Sequence, residues 1–287
     1  MPGMQERRSP GENLDTGVIG RRAFLGAPVP LWAQARRAFA LPDVLVVWTN
    51  QRTLPDALRR ECLVFPRAYA AAPKPELARR ALETGIFPHA IQPGDFQLPF
   101  RQLTARSVDD LVKMSLGTAP GTITIVTAAG GDGEDSPFER SVHVPLAIRY
   151  AGMLIARNAP EILTSHVDIL PTLFGLAALT LPQPVQGRNL APLLMRREGG
   201  VPAAVYLEGN LRQPGEWRAI IRGYDKLVLR ANGEVTALYN VADDPDEKID
   251  LAKLPAHRLT RDGMQALARV WMRRLNDGFD STGVRVR

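Results

Sequence analysis

Two stretches hold side chains whose type and spacing could do chemistry. In PELARRALETG (75–85), Arg79 stands beside Arg80. A guanidinium can grip an anion through two parallel hydrogen bonds, although such a pair also suits a solvated helix face. The acidic run DDPDE (243–247) has the composition of a Ca²⁺-ligating loop but lacks its ligand spacing and its glycine turn, so it reads as a charged β-turn. Cys62 is the only cysteine. No internal disulfide can form, and a buried structural thiol is the expected role.

These residues must be held by regular elements, and the pattern gives them. PDVLVVWTN (42–50), GTITIVTAAGGDG (121–133) and VHVPLAIRYAG (142–152) are short apolar runs bounded by Pro, Gly or polar residues, and they predict buried strands. Between the first two, 75–85 carries Pro at a helix start and Gly at its end. The stretch 107–117 has a Ser cap followed by Val108, Leu111, Val112 and Leu116 at helical spacing. Strands alternating with helices predict an α/β domain with a mainly parallel sheet. TSHVDILPTLFGLAAL (164–179) opens with a Ser-x-x-Asp cap, and 181–194 reads as a Pro- and Gly-punctuated loop. From about 203 the texture changes to four short strands, with an Ala231-Asn232-Gly233 turn before the last, and a helix over 260–278. That predicts a small antiparallel sheet with one helix laid on it.

The composition is that of a packed globular chain: 45% hydrophobic and 23% charged over 287 residues. No stretch approaches the roughly 20 uninterrupted apolar residues that a membrane span needs. The net charge is +6, and with only five Lys, Arg supplies 31 of the 36 basic residues. No basic helix interleaved with aromatics and no nucleic-acid motif is present, so nucleic acid is not an expected partner. At the start, GRRAFLGAPVPLWAQA (20–35) sets Arg21-Arg22 before a short apolar run that ends in Ala33-Gln34-Ala35. This resembles a twin-arginine export signal, and residues 1–40 are set aside as such. A periplasmic or secreted location follows if that signal works, and a cytoplasmic one otherwise.

Taken in order, the strings resemble the sulfatase family of the alkaline-phosphatase-like superfamily. PDVLVVWTN is similar to the family's opening strand, FPRAYAAAP to the lead into its nucleophile and RALETGIFPH to the helix behind it. TITIVTAAGGDG stands where the family has Thr-Ser-Asp-His-Gly, and SPFERSVHVPLAIRYAG matches its Pro-x-Glu stretch ending in Val-Pro-Leu. HVDILPTLFGLAALTLPQPVQGRNLAPLL and ALYNVADDPDEKIDLA resemble its later landmarks. The resemblance covers about 42 to 275. It implies an alkaline-phosphatase-like α/β core over 41–200 and an α+β C-terminal piece over 201–287. It also implies sulfate-ester cleavage by a formylglycine made from Cys, with Ca²⁺ polarising the sulfate.

Carried over position by position, that machinery is missing. The Cys-x-Pro-Ser-Arg motif falls on Pro75-Glu76-Leu77-Ala78-Arg79, which puts proline at the nucleophile and keeps only Arg79. The opening carboxylate pair falls on Asn50 and Gln51, and the second metal pair on Ala129 and Gly130. The family's next Lys falls near Glu134. Only a short stretch separates His89 from the strand at 121–133, so the family's long segment there, with its Lys and His, is expected to be deleted. Arg79, His89 and Lys226 are the matching candidates for substrate binding; His143, before Val-Pro-Leu, is expected to be structural. The expectation is a sulfatase homologue without nucleophile, formylglycine or Ca²⁺: a pseudoenzyme. The alternatives are a hydrolase rebuilt around Asp132, Asp135 or His89, or a binding protein for sulfated or other anionic glycans.

Overall fold

The computed structural model describes residues 42–277, apart from 96, 98, 99, 132, 133 and 182; the export-signal segment and Asp132 lie outside the described residues. The chain runs through β1 (Val44–Trp48), α1 (Asp56–Glu61), β2 (Leu63–Val64), β3 (Ala68–Tyr69), α2 (Pro75–Thr84), β4 (Arg101–Thr104), α3 (Val108–Leu116) and β5 (Ile123–Thr127). It continues through α4 (Glu139–Val142), β6 (His143–Val144), β7 (Leu146–Tyr150), β8 (Arg157–Asn158), β9 (Thr164–Ser165), α5 (Ile169–Leu176) and α6 (Ala191–Arg196). The last elements are β10 (Ala204–Gly209), β11 (Trp217–Arg222), β12 (Asp225–Arg230), β13 (Val235–Asn240) and α7 (Arg258–Leu275). Among the described residues, no helix is long and apolar enough to cross a membrane.

A six-stranded sheet, ordered β4-β1-β5-β7-β2-β8, forms the centre. β1 pairs in parallel with both β4 and β5, and β7 runs antiparallel between β5 and β2. Every residue of β1 and β5 is buried, as expected of strands covered on both faces. Their side chains alternate between two cores. Val44, Val46 and Trp48 pack with Ala78, Leu82, Leu173 and Phe174, whereas Leu45 and Val47 pack with Leu54, Leu58 and Leu111.

The helices behave as their sequences require. Proline opens α2, where its missing N–H costs nothing. Gly85 ends it with φ +68, and its N–H reaches the Ala81 carbonyl at 3.0 Å. Ala78, Ala81 and Leu82 face the core at helical spacing. In α3 the Ser107 hydroxyl accepts the Asp110 N–H at 3.1 Å. Before α5 the cap is made by Asp168, which takes the Ser165 N–H at 2.9 Å and also holds Arg188 at 2.6 Å.

The second sheet is the antiparallel meander β10-β11-β12-β13. One face packs Tyr206, Ile220, Leu227 and Leu238 against Met264, Ala268, Met272 and Leu275 of α7. The other packs Val205, Leu207 and Trp217 against Tyr69, Val142 and Leu163 of the small sheet β6-β3-β9 and its flanks. Ala81 and Phe87, at the back of α2, share a core with this meander. The meander is therefore welded to the helix that bears Arg79.

Candidate functional site

The ends of β1 and β5 and the start of α2 meet at one edge of the large sheet. The Thr49 N–H donates to the Thr127 carbonyl at 2.9 Å, which brings the two strand ends together. Beyond them lie Asn50 and Gln51 on one side and Ala129 and Gly130 on the other. The loop after β5 presses on the approach to α2. A Cβ built on Gly130 (φ +148) would stand 2.4 Å from the Pro73 carbonyl oxygen, and one on Gly131 would stand 1.6 Å from that of Arg140. Both positions are closed to any side chain by backbone.

Pro75 begins α2, exposed and without a heteroatom in its side chain. One turn on, the Arg79 guanidinium lies over the Trp48 ring, 4.8 Å from its centroid. The indole N–H of Trp48 donates to Gln102 at 2.8 Å, so β4 fixes the ring on which Arg79 rests. The buried Arg79 Nε has no hydrogen-bond partner. Lys74, the residue before Pro75, pairs with Asp135 at 3.3 Å, and Asp135 also accepts the Asn210 N–H at 3.0 Å. The structure thus gathers Arg79, Lys74 and the positive end of α2 at one place. The ancestral metal positions contribute two amide oxygens and no carboxylate, and the Gln51 amide already donates to Asn50 Oδ1 at 3.3 Å. Among the described residues, Asn50 and Gln51 alone do not supply the hard, charged oxygen shell that Ca²⁺ takes.

His166 lies beneath this edge, and nothing in its sequence context singles it out beyond its place in a helix cap. Its Nε2 is 3.1 Å from the Thr127 hydroxyl, and its ring stands edge-on to Trp48 at 6.3 Å. Complete burial lowers its pKa to about 4, so it is neutral there.

His89, half-buried, and Lys226, fully buried, were expected to bind substrate; both are paired with carboxylates of the chain. Lys226 Nζ lies 2.8 Å from Glu247 and 3.1 Å from Glu139, both held under the meander. His89 Nδ1 is 2.6 Å from Glu208 Oε2. His143 Nε2 meets the Pro66 carbonyl at 2.8 Å, in keeping with a structural part. Among the described residues, His89, Glu208 and Asp277 form the one group whose donor atoms stand close enough for a metal, all within 4.8 Å of one another. Arg218 already donates to both carboxylate oxygens of Asp277, so a guanidinium supplies positive charge to this group.

Residues 136–269 match the family model of the N-sulphoglucosamine sulphohydrolase C-terminal region. An endo-4-O-sulfatase of Bacteroides thetaiotaomicron is 30% identical over 129 residues, 44% of this chain and 25% of the relative. The chain is related to the sulfatases. A delta 4,5-hexuronate-2-O-sulfatase of the same bacterium is 27% identical over 206 residues, 64% of this chain and 42% of the relative. The chain therefore spans a quarter to two fifths of the length of these curated sulfatases. Among solved structures, a 2-O GAG sulfatase superposes with a TM-score of 0.68 at 16% identity, covering 86% of this chain and 94% of that one. The phosphonate monoester hydrolase of Agrobacterium radiobacter does so with a TM-score of 0.65 at 14% identity, covering 86% and 100%. These place the fold with the alkaline-phosphatase-like sulfatases.

Proposed function

We propose that this sulfatase-related chain binds sulfated or similarly anionic glycans without cleaving them by formylglycine and Ca²⁺ chemistry. The observation that carries the reading is the N-terminal half of α2, which keeps the anion-gripping Arg79 and has Pro75 where an attacking oxygen would be needed. Around it, Asn50 and Gln51 bring no negative charge to offset a dication, and Gly130 has no room for a ligand side chain. Arg79 retains what binding requires. Its plane is fixed on Trp48, its Nε is unspent, and Lys74 adds positive charge nearby. The name of one relative, a delta 4,5-hexuronate-2-O-sulfatase, favours a sulfated sugar as the anion. The twin-arginine-like stretch 20–35 supports export to the periplasm, where such glycans would be met.

The test pairs turnover with binding on the full chain. With an aryl sulfate and Ca²⁺, no hydrolysis above buffer is expected. Titration with a sulfated disaccharide should saturate, and Arg79→Ala should abolish that binding. Turnover that disappears in Arg79→Ala would overturn the proposal and point to a rebuilt site, with Asp135, paired to Lys74, one candidate carboxylate. A flat titration of the unmodified protein would end the binding reading.

A further inference from the structure

The cluster around His89 lies outside the site just described, and its geometry specifies a protonation state. Nδ1 points at Glu208 Oε2, 2.6 Å away, and Nε2 at the Leu275 carbonyl, 3.2 Å away. A carbonyl can only accept. Glu208 is likewise held as an acceptor, because its other oxygen takes the His89 backbone N–H at 2.8 Å and the Arg218 guanidinium stands 4.0 Å from Oε2. A ring that donates from both nitrogens is an imidazolium; a neutral ring carries one N–H and must forfeit one of the two contacts.

We propose that His89 is a proton-operated latch, which when charged clamps strand β10 and the Pro88–Ala90 turn to the C-terminal end of α7, and frees that end on losing its proton. Leu275 is the last residue of α7, so its carbonyl belongs to the helix's negative, unsatisfied end, where a cation is favoured. Its other donor is Gln186 Nε2, at a longer 3.4 Å. The charged groups facing the ring come from three elements. Glu208 is on β10. Asp277 follows α7. Arg218 on β11 pairs with Asp277 and, at 2.9 Å, with Glu216. The Tyr206 hydroxyl donates to Asp277. Two cations thus meet three carboxylates, and loss of the His89 proton leaves Arg218 alone among them. Burial works against the charged ring, but the hydrogen bond and charge of Glu208 outweigh it and raise the pKa above 6.5. A raised folded-state pKa means that the latch's stabilisation is complete below pH 6.5 and is lost as pH rises through the folded value.

The experiment follows unfolding by denaturant on the full chain at a series of pH values from 5 to 9, for the unmodified protein and His89→Gln. From neutral to alkaline pH, the unmodified protein should lose up to about tenfold in its folded-to-unfolded ratio per pH unit within the titration window. His89→Gln, which has no proton to lose, should lack that component. Parallel profiles would overturn the latch. Ring-nitrogen NMR on the unmodified protein decides independently of whether the variant folds. Only four histidines need be distinguished. Both nitrogens of His89 should be protonated at pH 6, and a neutral tautomer there would overturn the proposal. As the ring deprotonates, amides in the last turn of α7 should exchange faster; unchanged exchange across the titration would also count against it.

Discussion

A proline at the head of α2 offers no side-chain heteroatom there and leaves the helix itself intact, since the first helical position is where proline costs least. Arg79, one turn further on, has its own support, because the Trp48 ring carries its guanidinium. Lys226 is the contrasting case, a cation with no access to solvent. It lies between Glu139 and Glu247, and burial pushes the Glu247 carboxyl pKa up despite the ammonium beside it. Lys226→Met should therefore destabilise the protein by roughly 3–5 kcal/mol near neutral pH, because it strands buried carboxylates. The sign of the pH effect follows. The stranded carboxyls favour their protonated form in the folded state, so the deficit should shrink as pH falls towards 5. Denaturant unfolding at pH 5 and 7.5 checks both, and a deficit unchanged with pH would refute the charge argument. At this scale the sequence could be read one residue at a time, because Pro75, Asn50, Gln51 and Ala129 each fall on a position of the family's motifs. It did not show that His89 and Lys226 turn inward, that Lys74 meets Asp135, or that His166 lies beneath the site. Each of those depends on a partner far along the chain.

Among the elements, the turn after β5 does most to shape the site. Gly130 adopts φ +148 against the Pro73 carbonyl, and Gly131 abuts Arg140, so the loop lies flat on the segment that leads to α2. Placing the family's histidine here as Gly130→His should not recreate a metal ligand. The Cβ would have to displace backbone, and the residue would leave a conformation that suits glycine. The expected outcome is a loss of about 1–3 kcal/mol in stability with no Ca²⁺ binding by calorimetry; a calcium isotherm would show that the loop can open. The readable elements were those with strong periodicity or punctuation: β1, β5, α2 with its Pro and Gly, α3 with its Ser cap, and the meander with its Asn-Gly turn. Three others gave little signal. α1 is six residues with one buried side chain, and all four residues of β4 are exposed, so it has no apolar alternation. α6 was hidden in a stretch read as loop because Pro192 looked like punctuation, whereas it occupies a helix start.

At the scale of the molecule, ancestry and chemistry separate. The α/β core and the meander share apolar contacts through Ala81, Phe87 and Val167, so the arrangement is held by packing that needs no active site. Order along the chain made that ancestry readable, since many separated segments match in sequence. What the whole molecule adds to binding is its field. The net charge is +6 and almost all of the cations are Arg, so anions should be drawn in over distances that salt can screen. If Arg79 and Lys74 hold a sulfate at a half-exposed edge, affinity for a sulfated disaccharide should fall by roughly three- to tenfold between 50 and 300 mM NaCl, with most of the change in the association rate. A neutral disaccharide of the same size should bind weakly at both salt concentrations. The His89 cluster, in which Glu208 and Asp277 are buried, supplies an internal control, because buried and partly buried charge pairs are screened far less than exposed ones. The pH-dependent part of the stability should thus persist at 300 mM NaCl while sulfate affinity declines. Affinity insensitive to salt would mean that the sugar is gripped by its hydroxyls and apolar faces, and would move the binding site away from Arg79.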